Sequence, residues 1–87
     1  MKMTFEQYDR QNPLVWAFFK RFTFAVIRAG HDRFSADSIL HRIRWETTVV
    51  VAGRYKINNN FSADYARKFM REFPQHKMFF ETRKRHH

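Results

Sequence analysis

Between Lys56 and Phe73 the chain reads KINNNFSADYARKFMREF, and no other stretch limits the fold so tightly. Asn58, Asn59 and Asn60 bond nearby backbone with their side chains and tolerate left-handed dihedrals, so they suit a turn. Ser62 is placed to cap a helix behind that turn, with Asp64 in the first turn to complement the dipole. At about 100° per residue, Tyr65, Ala66, Phe69, Met70 and Phe73 share one side and Arg67, Lys68 and Arg71 the other. Pro74 stops the run, because its ring clashes with the preceding turn and it has no N–H. The pattern predicts a short helix with an apolar face on a core and a basic face suited to lying on something anionic.

The tetrapeptide Phe-Ser-Ala-Asp that opens this helix also occurs at Phe34 to Asp37. The residues that follow the two copies diverge, so they share a starting device rather than an internal repeat. In the earlier copy Ser35 caps, and Phe34 and Ile39 have the spacing of a hydrophobic staple. A helix from about Ala36 to Glu46 follows, with Ala36, Ile39, Leu40 and Ile43 inward and His41, Arg42, Arg44 and Trp45 outward. A tryptophan on the far side of such a helix is either covered by another element or used for recognition.

Two helices precede these. Thr4 and Gln7 have capping-box spacing, with Met3 and Tyr8 as a staple, and this first helix ends near Gln11 because Pro13 disfavours helical dihedrals at Asn12. Asn12 then caps a second helix that takes Pro13 at its first position and runs from Leu14 to Ala29. Leu14, Val15, Phe18, Phe19, Phe22, Ala25, Val26 and Ala29 form its apolar face, Arg21 and Arg28 lie opposite, and Gly30 ends it. Phe24 falls among Lys20, Arg21 and Arg28. There it either meets a base or a partner protein, or is covered by the first helix or the C-terminal segment. Trp16 and Ile27 lie on the flank, where they close a homodimer or join the core.

Between the third and fourth helices, the eleven residues Thr47 to Ile57 read TTVVVAGRYKI. Three valines favour extended structure, and Ala52-Gly53 turns a hairpin with Thr48, Val50, Tyr55 and Ile57 on a core-like face. Arg54 and Lys56 then stand on the other face beside Val49 and Val51. Beyond Pro74, Met78, Phe79 and Phe80 should return the chain to the core, and residues 82–87 leave as a flexible basic tail containing Arg83, Lys84 and Arg85. His86 and His87 are given no role. The expected architecture is one mainly α domain of three to four helices with a β-hairpin, winged-helix or helix-turn-helix-like in outline. The eleven-residue connection is too long for an ordinary helix-turn-helix.

Charge sets the partner class. Seventeen Lys and Arg against eight Asp and Glu give a net charge of +9, which draws the chain toward polyanions. From Phe61 onward seven basic residues face three acidic ones. Eighty-seven residues, eleven of them Phe, supply one core without a crosslink, and the lack of cysteine excludes thiol chemistry and fits a reducing compartment. Leu14 to Phe19 is the longest apolar run, far short of the roughly 20 residues a membrane helix needs, and no signal-peptide pattern opens the chain. His31, His41 and His76 lack metal-ligand spacing, and Asp37 with His41 reads more simply as a helix-start carboxylate beside a neighbour. No phosphate-binding glycine loop or nucleophile motif is present. No cofactor, metal or catalytic residue is therefore expected, and the chain does not read as an enzyme.

The nucleic-acid reading assigns Arg67, Lys68 and Arg71 to phosphates or guanine edges, assisted by Arg42, Arg44, Arg54, Lys56, Arg83, Lys84 and Arg85, with DNA ahead of RNA. Asn58 to Asn60 add backbone-phosphate donors. A solvated cationic face is the plain alternative. The segments NPLVWAFF, FSADSILHRIRWET, YKINNNFSADYARKFM and FFETR together resemble a family of short bacteriophage and prophage proteins with no established activity. Arg42 to Thr47 and Lys56 to Arg67 carry that resemblance most specifically. It implies a small phage accessory protein acting in the bacterial cytoplasm, and it transfers no site residue. In that setting the alternative is an inhibitor or adaptor that binds an acidic host protein, of the anti-CRISPR or other anti-defence type. Trp16, Phe24 and Trp45 would then be the partner-binding residues, because large aromatics and Arg dominate interfaces.

Overall fold

The computed structural model describes residues 3–50, 57 and 59–80. Four α-helices form the body: α1 (Phe5–Gln11), α2 (Pro13–Arg28), α3 (Ala36–Trp45) and α4 (Ser62–Glu72). A π-helical turn, Glu46–Val50, prolongs α3, and 3-10 turns at Asn59–Phe61 and Pro74–His76 flank α4.

The helix ends follow from local chemistry. Thr4 and Gln7 form the capping box reciprocally: the Gln7 N–H donates to the Thr4 hydroxyl at 3.2 Å and the Thr4 N–H to the Gln7 amide oxygen at 3.0 Å. Pro13 opens α2 as expected, but the Asn12 side chain turns backward. Its Nδ2 donates to the Tyr8 carbonyl at 2.9 Å, so it closes α1 instead of capping α2. At the far end of α2, the His31 N–H reaches the Val26 carbonyl (3.3 Å) and the Gly30 N–H that of Ile27 (3.0 Å). This Schellman closure needs a left-handed residue, which Gly30 supplies at φ 100°. Ser35 caps α3 by accepting from the Ser38 N–H at 3.3 Å.

Ser62 does not cap α4. The 3-10 turn Asn59–Phe61 runs straight into the helix, so Phe61 holds the cap position and Ser62 already lies in the first turn. The two Phe-Ser-Ala-Asp copies therefore begin their helices differently.

The core gathers Val15, Phe19 and Thr23 of α2, Ile39, Leu40 and Ile43 of α3, and Tyr65, Ala66 and Phe69 of α4, with Tyr8, Ile57, Phe79 and Phe80 around them. Side chains of this size contribute roughly 1.5–3 kcal/mol each when fully buried. On α2 the buried row is Val15, Phe19, Thr23, with Trp16, Val26 and Ile27 beside it. Leu14, Ala25 and Ala29, expected inside, are exposed. Apolar residues surround most of this helix, so its pattern left the phase open, and a threonine took a core position. Phe79 and Phe80 are buried as anticipated, and the Phe34 N–H donates to the Phe79 carbonyl at 3.3 Å where the two segments bridge in parallel. Met78 stays outside.

The hairpin expectation fails over its first strand. Thr47 to Val50 continue helically, because the Arg42 guanidinium pairs with Glu46 at 2.8 Å one turn on and the buried Thr47 hydroxyl donates to the Arg44 carbonyl at 3.2 Å. Those contacts outweigh the extended preference of the valines. Residues 51–56, including Arg54 and Lys56, and residues 81–87, including Arg83, Lys84 and Arg85, lie outside the described residues, as does Asn58.

The unequal starts of α3 and α4 predict unequal mutants. In urea unfolding, Ser35→Ala should cost about 1 kcal/mol, whereas Ser62→Ala should change stability by a few tenths at most. Equal losses at both serines would show that Ser62 caps after all.

Candidate functional site

Arg67 and Arg71 leave α4 on the side opposite Tyr65, Ala66 and Phe69, as the periodicity predicts, whereas Lys68 lies on the flank, largely buried against α1 and Trp16. The three do not meet solvent as one cationic face. α1 lies alongside and brings Glu6 and Asp9, so Glu6, Asp9 and Asp64 line the same recess as the three cations. Arg67 pairs with Asp64 at 3.0 Å, and Lys68 with Asp9. Only Arg71 stands exposed at the rim without a described ion pair. Three carboxylates thus balance three cations. Two of those carboxylates, Glu6 and Asp9, come from α1, and Asp64 comes from α4 itself.

Arg67 and Lys68 differ in kind. The Arg67 pair spans one turn at the surface, where such pairs are worth ~0–1 kcal/mol and exchange readily for another anion. Lys68 and Asp9 are each only 17% exposed, and the Lys68 ammonium also lies 4.4 Å from the centre of the Trp16 ring. Desolvation on both sides makes this a structural clamp between α1 and α4.

Trp16 is committed to that clamp. It stacks on Tyr65 and Phe19 at 6.2 and 6.0 Å, and Lys20 covers it at 5.4 Å. Phe24 is half-buried against Phe69, Phe73 and His76 at 5.2, 5.0 and 5.9 Å. The end of α4 and the turn behind it therefore cover Phe24. Ile27 likewise packs on the core. Of the three aromatics expected at a partner surface, Trp45 alone is displayed, at 61% exposure.

A helix without carboxylates of its own lies elsewhere. α2 carries Lys20, Arg21 and Arg28 and no acidic residue from Pro13 to Arg28. Arg21 and Arg28 are exposed, two turns apart on one face, or roughly 10 Å. The Arg21 and Arg42 guanidiniums both lie against the Phe22 ring, 6.0 and 5.4 Å from its centre, which brings the α2 cations up to the Arg42–Glu46 pair of α3. Arg42 and Trp45 are i, i+3 neighbours on α3. Arg44 has a structural task as well, since its Nη2 donates to the Ile57 carbonyl at 2.8 Å and ties α3 to the approach to α4. Arg21 and Arg28 are not among the binding residues expected from the sequence. The acid-free run of α2 was the signal that marked them.

Asp37 and His41 are both exposed on α3. Among the described residues no three His, Asp or Glu groups gather in a metal-holding arrangement, and no helix is long and apolar enough to cross a membrane. No protein-family model matches the chain, and no characterised protein or solved structure matches it either.

Two outcomes test the clamp. Lys68→Ala should destabilise by about 2 kcal/mol in urea unfolding, because it strands a partly buried carboxylate, while Arg67→Ala should stay within about 0.5 kcal/mol. The second concerns Tyr65, whose hydroxyl is buried without a hydrogen-bond partner among the described residues. Burial first, then the negative charge of Asp9, push its phenol far above the ordinary value of 10.0. The folded state thus holds this proton more tightly than the unfolded chain does. The resulting stability is whole below pH ~10 and is lost as pH rises beyond it. Tyr65→Phe should match or exceed the parent's melting temperature at pH 8 and lose less of it by pH 11. An identical alkaline slope in both proteins would remove Tyr65 as the cause.

Proposed function

We propose that this chain is a small non-enzymatic nucleic-acid-binding protein, of the phage accessory kind and acting in the bacterial cytoplasm, whose contact surface is the α2–α3 face. The observation that carries this reading is the acid-free cationic run of α2, extended onto α3 where Arg21 and Arg42 flank Phe22. Arg21 and Arg28 supply the leading phosphate contacts, Arg42 and Arg44 assist, and the α4 cations Arg71 and Arg67 take a smaller part; Arg42 exchanges Glu46 for phosphate as Arg67 exchanges Asp64.

A second reading keeps the same surface and changes the partner. Trp45 beside Arg42 and Arg44 has the composition of a protein-interface hot spot, which favours an inhibitor or adaptor of an acidic host protein.

Fluorescence anisotropy with labelled mixed-sequence oligonucleotides across a salt series separates them. Under the nucleic-acid reading, log affinity falls against log salt with a slope of roughly −2 to −3. The double variant Arg21→Ala/Arg28→Ala lowers the steepness by about 1 to 1.5, and Arg67→Ala/Arg71→Ala changes it much less. Absence of salt-dependent binding, together with co-purification of one host protein that survives high salt and weakens on Trp45→Ala, would move the assignment to the second reading.

A further inference from the structure

We infer that the α2–α3 face takes single-stranded rather than duplex nucleic acid, with Trp45 as the platform on which a base stacks. This rests on the nucleic-acid reading above and specifies its substrate.

The first support is the manner in which Trp45 is shown. Among the described residues it is the sole Phe, Tyr or Trp in the exposed class, at 61%, although the chain has sixteen aromatics of these types in its sequence. Ile43 and Thr47, two positions to either side, are both fully buried, so the helix turns Trp45 outward. A flat π surface beside cations is what a strand with unstacked bases can use and a paired duplex cannot, since its base faces are already stacked.

The second support is the absence of a helix fitted to a major groove among the described residues. α4 has its apolar side in the core and its basic side balanced by Glu6, Asp9 and Asp64. α3 carries Asp37 in its first turn and is followed directly by Glu46, so phosphates flanking a groove would meet carboxylates near both ends. On α2 the exposed row is Leu14, Ala17, Arg21, Ala25 and Arg28, in which alanines occupy the places where base-reading donors would stand. Such a row tracks phosphates. The backbone track is thus the α2 row of Arg28 and Arg21, and beyond Phe22 the paired Arg42 leads to Trp45 as the stacking end, the arrangement that sequence-tolerant single-strand binding requires.

The test uses the full chain in a Trp16→Phe background, so that Trp45 is the remaining tryptophan fluorophore. Its emission is titrated with oligo-dT and, in parallel, with a mixed-sequence duplex of equal length at low salt. The expected result is quenching by oligo-dT and an affinity for the single strand at least about fivefold above that for the duplex. By anisotropy, Trp45→Ala should weaken oligo-dT binding about tenfold, and Trp45→Phe should restore most of it. Both variants should melt within a few degrees of the parent, because the side chain is exposed. Equal or tighter duplex binding, or a Trp45→Ala protein that binds oligo-dT like the parent, would overturn this inference while leaving nucleic-acid binding in place. Binding to neither probe at low salt would overturn both.

Discussion

The contact of Phe19 with Tyr65 and Phe69 fixes the remainder of the molecule. Phe19, fully buried on α2, meets Tyr65 at 5.3 Å and Phe69 at 6.4 Å on α4, and Phe80 of the returning chain at 5.4 Å. Phe69 extends the set to Phe24, Phe73 and His76. α1 joins through Phe5 against Tyr65 at 4.8 Å. Geometry-specific ring pairs add about 0.5–1.5 kcal/mol each beyond the area they bury, so the aromatic set resists rotation of any one helix. Once Tyr65 and Phe69 are fixed inward, Lys68 has no freedom but to face α1. The electrostatics of α4 are therefore set by how its rings pack, and its charge pattern alone does not describe its surface.

What the sequence made legible was chemistry within a few residues. Thr4 with Gln7, Pro13, Gly30 and Ser35 each act through neighbours three or four positions away, and each does what its type and spacing imply. The inner face of α3 was equally readable, because Ile39, Leu40 and Ile43 are its obvious apolar stripe. α2 was not, since Phe18, Phe19, Phe22 and Phe24 place aromatic surface around most of its circumference and several rotations bury similar area. The structure chooses the one that puts Val15, Phe19 and Thr23 against α3 and α4.

The candidate site depended on relations that periodicity cannot carry. Lys68 and Asp9 are 59 positions apart, and nothing local to either names the other. The spacing of Arg67, Lys68 and Arg71 does not show that α1 brings Glu6 and Asp9 to the same recess. Thr47 to Val50 show the opposite failure. Their β propensity is real, but Arg42–Glu46 and Thr47–Arg44 contacts hold the chain helical, and propensity is a weak prior once such contacts form.

Burial on either side of Trp45 decides its environment. With Ile43 and Thr47 both inside, position 45 lies on the outer side of α3, where a polar residue would leave the core unchanged and keep less apolar area in water. Stability therefore does not explain a tryptophan there. It stands immediately before a π-helical turn, a rare geometry that tends to occur where a helix serves a function beyond packing. Arg42, one turn earlier, spans Phe22 toward Arg21 and links this position to the acid-free side of α2. The other two aromatics expected at a partner surface are partly buried against the core, and carboxylates of α1 and α4 stand beside the α4 cations, so the exposed tryptophan is on α3 and the helix free of carboxylates is α2.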